Sequence, residues 1–186
     1  MSLTEKPEAC KGCPAYEWGV GFVSPTRPGR VKGIPSVVSP SRHKEGRGRV
    51  RGMAAVLILG SGPNESDAYG SQPFHPEDST GGLLTEWLNS TGYQRTQVSL
   101  GHIVQCWLPE KKRGVKVYGE RPPTKAEVRH CWNAYVGPWV HSTSWDHIIT
   151  VGLASAKWML GLDWKTGADK YMGTTQLIEI PEDEIK

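Results

Sequence analysis

The sequence lacks the features of a membrane protein and of a repeat protein. No apolar run approaches the roughly 20 residues that a membrane-spanning helix needs. The N-terminus, MSLTEKPEAC, has no basic-then-apolar pattern of a secretory signal peptide. No internal repeat is visible, which argues against a solenoid. We therefore expect a cytoplasmic protein without a membrane partner.

Size and composition are those of an ordinary globular domain. The chain has 186 residues, of which 37% are hydrophobic and 22% charged. We expect one domain over 1–186 and a monomer. An abrupt acidic end, IPEDEIK, is also compatible with the N-terminal part of a longer polypeptide.

Acidic residues are scarce in one stretch of the chain. Between positions 27 and 51, Glu45 is the single acid among eight basic residues: Arg27, Arg30, Lys32, Arg42, Lys44, Arg47, Arg49 and Arg51. The surrounding segment, 14–53, is rich in Gly and Pro and has little periodicity, so we predict an irregular basic arm. Such an arm suits a polyanion. The charge pattern fits a solvated, flexible insertion equally well.

Apolar runs and helical spacing alternate along the rest of the chain. They predict four strands, over 54–60, 98–106, 147–152 and 174–180. They predict three helices, over 80–90, 123–136 and 153–160. Thr80 and Thr124 are the expected N-caps, and Glu127 completes a capping box with Thr124. This order predicts an α/β fold, a three-layer sandwich around a mainly parallel sheet of about four strands.

The loop after the first predicted strand reads GSGPNESDAYGSQPF, residues 60–74. In parallel sheets, ligands bind in the crevice beyond the carboxyl ends of the strands. We therefore expect this loop to lie at a ligand site. Two plainer interpretations stay open, because Gly, Ser, Pro and Asn suit tight turns for backbone reasons and Phe74 is typical of a core aromatic. His102, between apolar strand positions, likewise fits a core histidine.

The chain has four cysteines, and they are candidate metal ligands. Cys10 and Cys13 form a CxxC motif, Cys106 ends the second predicted strand, and Cys131 lies in the next helix. Disulfides are not expected in a reducing compartment. Four thiolates suit a zinc ion or an iron–sulfur cluster. Buried cysteines without a ligand are the alternative.

The order of these motifs resembles the uracil-DNA glycosylase superfamily, and most closely its iron–sulfur family 4 type. The motifs are CxxCP, a strand that ends in a Gly-x-x-Pro loop, GSQPF followed by GGLL, a strand that ends in Cys, RPPTKAEVRHC, and HIITVGLASAKWMLG. The resemblance implies a 4Fe-4S cluster on Cys10, Cys13, Cys106 and Cys131, with zinc as the alternative. It also implies DNA, single- or double-stranded, as the partner. The charge of the basic arm then makes these residues candidate DNA contacts: Arg42, Lys44, Arg47, Arg49 and Arg51.

The resemblance also implies roles for residues of the first loop. The family's first motif, which helps to place the attacking water, corresponds to Gly60, Ser61, Gly62, Pro63 and Asn64. Phe74 takes the position that stacks on the base, and His102 takes that of an Asn that reads the uracil edge. Among these residues, Ser61, Asn64 and His102 are the catalytic candidates. Gly60, Gly62, Pro63, Phe74 and His102 are the substrate-binding candidates.

The sequence departs from the family pattern at three points. Ser61 replaces a Glu, for which Glu65 or Asp67 could substitute, and His102 cannot copy the two-sided hydrogen bonding of an Asn amide. No late His-Pro-Ser motif follows, and the His-Pro of this chain is His75-Pro76. In addition, an insertion around 111–119 separates Cys106 from Cys131, and its basic residues could touch DNA.

Three functions follow as hypotheses. The first is a DNA-repair glycosylase that hydrolyses the N-glycosidic bond of uracil or a related base. The second is a catalytically weak or inactive DNA-binding domain, for example an accessory domain fused to or associated with a replication protein such as a phage-type DNA polymerase. The third is a protein-interaction domain stabilised by zinc or a cluster, against which the basic arm argues.

Overall fold

The computed structural model describes residues 3–27, 54–112, 115–165, 167 and 169–181. The predicted DNA contacts from Arg42 to Arg51 lie outside the described residues. Within them, the strands are β1 Val56–Gly60, β2 Ser99–His102, β3 Pro109–Lys112, β4 Val115–Glu120 and β5 His147–Val151. The α-helices are α1 Glu65–Gly70, α2 Ser79–Ser90, α3 Lys125–Cys131, α4 Gly137–His141 and α5 Leu153–Met159. Short 3₁₀ segments lie at Glu8–Cys10, Arg95–Gln97 and Asp169–Tyr171, and a π-helical turn, Trp132–Val136, joins α3 to α4.

The predicted α/β fold with a parallel sheet is confirmed. β1 lies in the centre and pairs in parallel with β2 on one side and β5 on the other. Every residue of β1 is buried, and its side chains alternate between two apolar clusters, as the period of two in a strand requires. Leu57 and Leu59 pack with residues of α3, α4 and α5, whereas Val56 and Ile58 pack with Phe74 and with Leu88 of α2. Helices therefore cover both faces.

About four strands were predicted, and the described part of the sheet has three. Residues 174–180 form no strand. Most of this segment is exposed, and Leu177 lies fully in solvent. Only Ile178 and Ile180 pack against the core, so the segment lies along the surface instead of extending the sheet.

The second strand is shorter than predicted. β2 ends at His102, and the chain bends over residues 103–106. The Ile103 N–H still donates to the Gly60 carbonyl at 2.7 Å, whereas the Gln105 side chain turns back to the carbonyl of His102. Cys106 therefore lies on a bend beyond the strand, where it can meet the N-terminal segment: Val20 forms a bridge with Trp107.

The helices α2 and α3 begin after short polar residues that cap them, and one of the two predicted caps is wrong. Thr124 caps α3 and Glu127 completes the capping box, as predicted. The cap of α2 is Asp78, not Thr80, because the Asp78 carboxylate accepts the Thr80 N–H at 3.1 Å. The predicted helix 123–136 is also interrupted: α3 ends at Cys131 and the π-helical turn follows.

Two elements have no counterpart in the sequence-based prediction. The stretch interpreted as an inserted loop forms an antiparallel hairpin, β3 with β4. The polar loop after β1 contains α1, which begins with a capping box between Asn64 and Asp67.

A buried ion pair fixes the start of α3. Glu127 is 1% exposed. Its carboxylate accepts hydrogen bonds from both terminal nitrogens of Arg121, and the bond from Nη1 measures 2.9 Å. The guanidinium of Arg121 also lies 4.0 Å from the ring centroid of Trp18, which connects the N-terminal segment to α3.

We expect Glu127→Gln to lower the free energy of unfolding by about 1.5–3 kcal/mol, because the substitution removes a buried charge-assisted hydrogen-bond pair. Urea denaturation measures the change. The control is Lys11→Gln, which breaks the exposed Lys11–Glu8 pair and should change stability little. Equal effects of the two substitutions would contradict a stabilising role for the Arg121–Glu127 pair.

Candidate functional site

The carboxyl ends of β1 and β2 bring together three of the predicted site residues. Gly60 lies opposite His102 in the parallel register. A Cβ atom at Gly60 would collide with the His102 ring and would lie 2.7 Å from Cζ of Phe74. Only glycine therefore permits both rings to pack against the end of β1.

Phe74 and His102 stack on each other. Their ring centroids are 4.6 Å apart and their planes are inclined by 34°. Phe74 is 4% exposed and His102 is 2% exposed. Phe74 is thus packed as a core aromatic, as one of the two interpretations of the sequence expected. It also lies beside the end of β1.

A buried carboxylate orients His102. Nε2 of His102 lies 3.0 Å from Oδ2 of Asp67, which is itself 2% exposed. The backbone N–H groups of His75 and Asn64 also donate to this carboxylate, at 2.6 and 3.3 Å. Burial acts to raise the pKa of Asp67, but the hydrogen bond and charge of His102 and the two N–H donors outweigh it, so the pKa lies below its ordinary value.

The other ring nitrogen of His102 is not satisfied. Nδ1 is buried and has no hydrogen-bond partner among the described residues. Because Nε2 is directed to Asp67, Nδ1 is the nitrogen on the Gly60 side of the ring. An unpaired buried acceptor or donor costs about 1–3 kcal/mol, so such a group needs an explanation.

Ser61 and Asn64 carry structural hydrogen bonds. The Ser61 hydroxyl oxygen accepts the Ala154 N–H at 3.1 Å and thereby serves the start of α5. Gly152, with φ of +100°, leaves room for that hydroxyl. Asn64 caps α1, and its amide donates to Asp78 at 2.8 Å. Both residues thus hold the loop in place, as turn residues do.

A cavity of about 160 Å³ opens beside this loop. Its lining comes from the loop after β1, from Leu108 and from the chain that leaves β4: Ser61, Gly62, Pro63, Leu108, Glu120, Arg121, Pro122 and Pro123. Glu120 is the acid in this lining. The hairpin that the sequence did not predict therefore supplies one wall of the cavity.

All four cysteines line the same cavity, which is distinct from the one described above, although more than a hundred residues separate the first from the last. Cys10, Cys106 and Cys131 are buried, Cys13 is half-buried, and all four are free thiols. The CxxC pair is held by a type II turn, in which the Cys13 N–H donates to the Cys10 carbonyl at 3.0 Å. Gly12, with φ of +89°, occupies the position of that turn that favours glycine.

Burial and mutual charge act on these thiols in the same direction. Burial raises the pKa of Cys106 to about 12 and raises the pKa of Cys13 and Cys131. In each case, the other cysteines raise the pKa further. Thiols of raised pKa ionise readily only beside a cation, so Cys13, Cys106 and Cys131, with Cys10 in the same cavity, form a donor set that fits a metal centre. No group of three or more His, Cys, Asp or Glu side chains in the described part of the chain is arranged to hold a metal ion as it stands.

None of the helices in the described ranges has the length and apolar character needed to cross a membrane.

The comparisons with known proteins agree with the motif order. No protein-family model matches the chain. The type-4 uracil-DNA glycosylase of Pyrobaculum aerophilum is 31% identical over 107 residues, which are 58% of this chain and 48% of that protein. The chain thus spans about half the length of the curated relative that it matches. This similarity to a type-4 uracil-DNA glycosylase confirms the resemblance inferred from the order of the motifs.

Proposed function

We propose that this protein is a DNA glycosylase that hydrolyses the N-glycosidic bond of uracil or a related base in DNA. The observation that carries the proposal is the convergence of the Gly60 loop, Phe74 and His102 at the carboxyl ends of β1 and β2. A glycosylase must receive a flipped nucleotide in a pocket, stack its ring and read its edge. An aromatic ring and an imidazole nitrogen without a partner are groups of the required kind.

His102 is the proposed reader of the base edge. With its Nε2 proton directed to Asp67, a neutral imidazole presents Nδ1 as an acceptor. Such an acceptor suits a ring N–H of a base. Because His102 and Phe74 cover each other in this structure, binding requires the two rings to separate.

The burial of Phe74 and His102 also favours a second function, DNA binding without catalysis. The side chains of Ser61 and Asn64 are engaged in helix caps, and both aromatic rings are enclosed. A domain that has kept the fold but excises bases weakly or not at all would show these features. We therefore retain a DNA-binding domain without catalysis, fused to or associated with a replication protein, as the alternative.

We further propose that Cys10, Cys13, Cys106 and Cys131 hold a 4Fe-4S cluster. The four free thiols line one cavity, which suits four-cysteine ligation of such a cluster, with zinc as the alternative. When bound, the group would cross-link the N-terminal segment to the core, so that ligation contributes to folding.

Cys131→Ser should abolish the brown colour of the purified protein and lower its thermal midpoint, because one of four ligands is lost. Absorption between 350 and 450 nm, roughly where thiolate-bound clusters absorb, and iron content measure the effect. Val128→Ala is the matched control. It truncates a fully buried side chain one turn earlier in α3 and should destabilise the protein while the colour is retained. A colourless wild-type protein that contains zinc would contradict the cluster.

The wild-type protein should produce abasic sites in uracil-containing DNA, single- or double-stranded, and none in the same sequence with thymine. Alkaline cleavage of labelled oligonucleotides detects the product. If no base is released while binding persists and weakens with salt, the DNA-binding alternative replaces the glycosylase. Loss of both activities would contradict both functions.

A further inference from the structure

The cavity beside the Gly60–Asn64 loop contains one acid in its lining, Glu120. Glu120 is the last residue of β4, and the hairpin brings it to the same cavity as Ser61, Gly62 and Pro63. Glu120 thus lies beside the loop that follows β1, although about 60 residues of chain separate them.

Three other carboxylates in this region have partners of their own. Asp67 is enclosed with His102 and two backbone N–H groups. Asp78 caps α2 and accepts the amide of Asn64. Glu127 is paired with Arg121. Glu120 instead reaches solvent as well as the cavity, so its carboxylate can exchange a proton with water.

The surroundings of Glu120 raise the pKa of its carboxylate, which suits a proton acceptor. Burial of its carboxylate raises the pKa, the N–H of Glu65 lowers it, and the charges of Asp67, Asp78 and Glu65 raise it further, with a net shift above the ordinary value. The adjacent cation, Arg121, is directed to Glu127 and to the ring of Trp18. A carboxylate of raised pKa is a better proton acceptor than an ordinary one.

We infer that Glu120 binds and deprotonates the water that attacks the sugar, and that the cavity of Ser61, Gly62, Pro63 and Glu120 holds this water. The inference rests on the proposed glycosylase function. The water oxygen forms a bond to C1′, and the bond from C1′ to the base nitrogen breaks. The electron pair of that bond leaves with the base, and the proton released by the water passes to Glu120.

The Ser61 hydroxyl supports this assignment. Its oxygen accepts the Ala154 N–H, so its proton is available for donation. A water in the cavity lies next to both Ser61 and Glu120, since both residues line it. In this arrangement Ser61 positions the water and Glu120 takes the proton.

Glu120→Gln should lower the single-turnover rate of base release by about a hundredfold or more, the usual contribution of a general base. Binding of uracil-containing DNA should change little. The wild-type rate should fall as the pH drops through the raised pKa of Glu120, and the variant should lack this fall. Glu86→Gln, an exposed acid on α2, is the matched control and should keep the wild-type rate.

Two results would overturn the assignment. One is a Glu120→Gln rate within threefold of wild type. The other is a large loss in Glu65→Gln with none in Glu120→Gln, which would transfer the role to Glu65.

A binding experiment separates this inference from the proposed function. DNA with a cationic pyrrolidine at the abasic position imitates the positive charge that develops on the sugar, and DNA with a neutral tetrahydrofuran there is its control. Wild-type protein should prefer the cationic DNA, and Glu120→Gln should lose the preference. If the wild type releases no base but keeps this preference, the glycosylase proposal fails while the position of Glu120 beside the sugar stands. Equal preference in both proteins would overturn the inference.

Discussion

The parallel pairing of β1 with β2 determines the geometry of the whole site. The register sets Gly60 opposite His102, and the absence of a side chain at Gly60 allows the imidazole and the Phe74 ring to close over the strand end. A shift of one residue would exchange the two faces of each strand. It would remove Leu57 and Leu59 from one core, and it would separate His102 from Asp67. The burial of β1 on both faces therefore fixes the site together with the fold.

Most polar side chains near the strand ends form hydrogen bonds with backbone N–H groups at the starts of helices. Ser61 serves α5, Asn64 and Asp67 cap α1, and Asp78 caps α2. These contacts commit the side chains of Asn64, Asp67 and Asp78 to the fold. Glu120 lines the cavity, and Nδ1 of His102, on the Gly60 side of its ring, has no hydrogen-bond partner among the described residues. This contrast is the reason to divide the proposed chemistry between proton transfer at Glu120 and base reading at His102.

The sequence predicted the parts of the structure that depend on local patterns. The continuous apolar run of β1 and the Thr124–Glu127 capping box are such patterns, and both are confirmed. Residues 174–180 have apolar residues at strand-like positions, but no sheet edge receives them, and that depends on tertiary packing. The hairpin was missed because its basic residues resemble a loop, and Glu120 was missed with it. The pairing of Asp67 with His102 spans 35 residues and has no local signal.

The central strand also connects the two candidate centres. Its odd-numbered leucines, Leu57 and Leu59, face the core that contains Cys106 and Cys131, whereas Val56 and Ile58 face the core that contains Phe74. Residues of the N-terminal segment line the cysteine cavity. The same segment forms backbone bridges to Leu100 of β2 and to Trp107 beyond it. Because protein interiors are close-packed and transmit strain, the proposed metal centre would stabilise the strands whose ends form the candidate site. A metal centre at the cysteines would thus act on the proposed chemistry through the rigidity of β1 and β2, without contact with the DNA base.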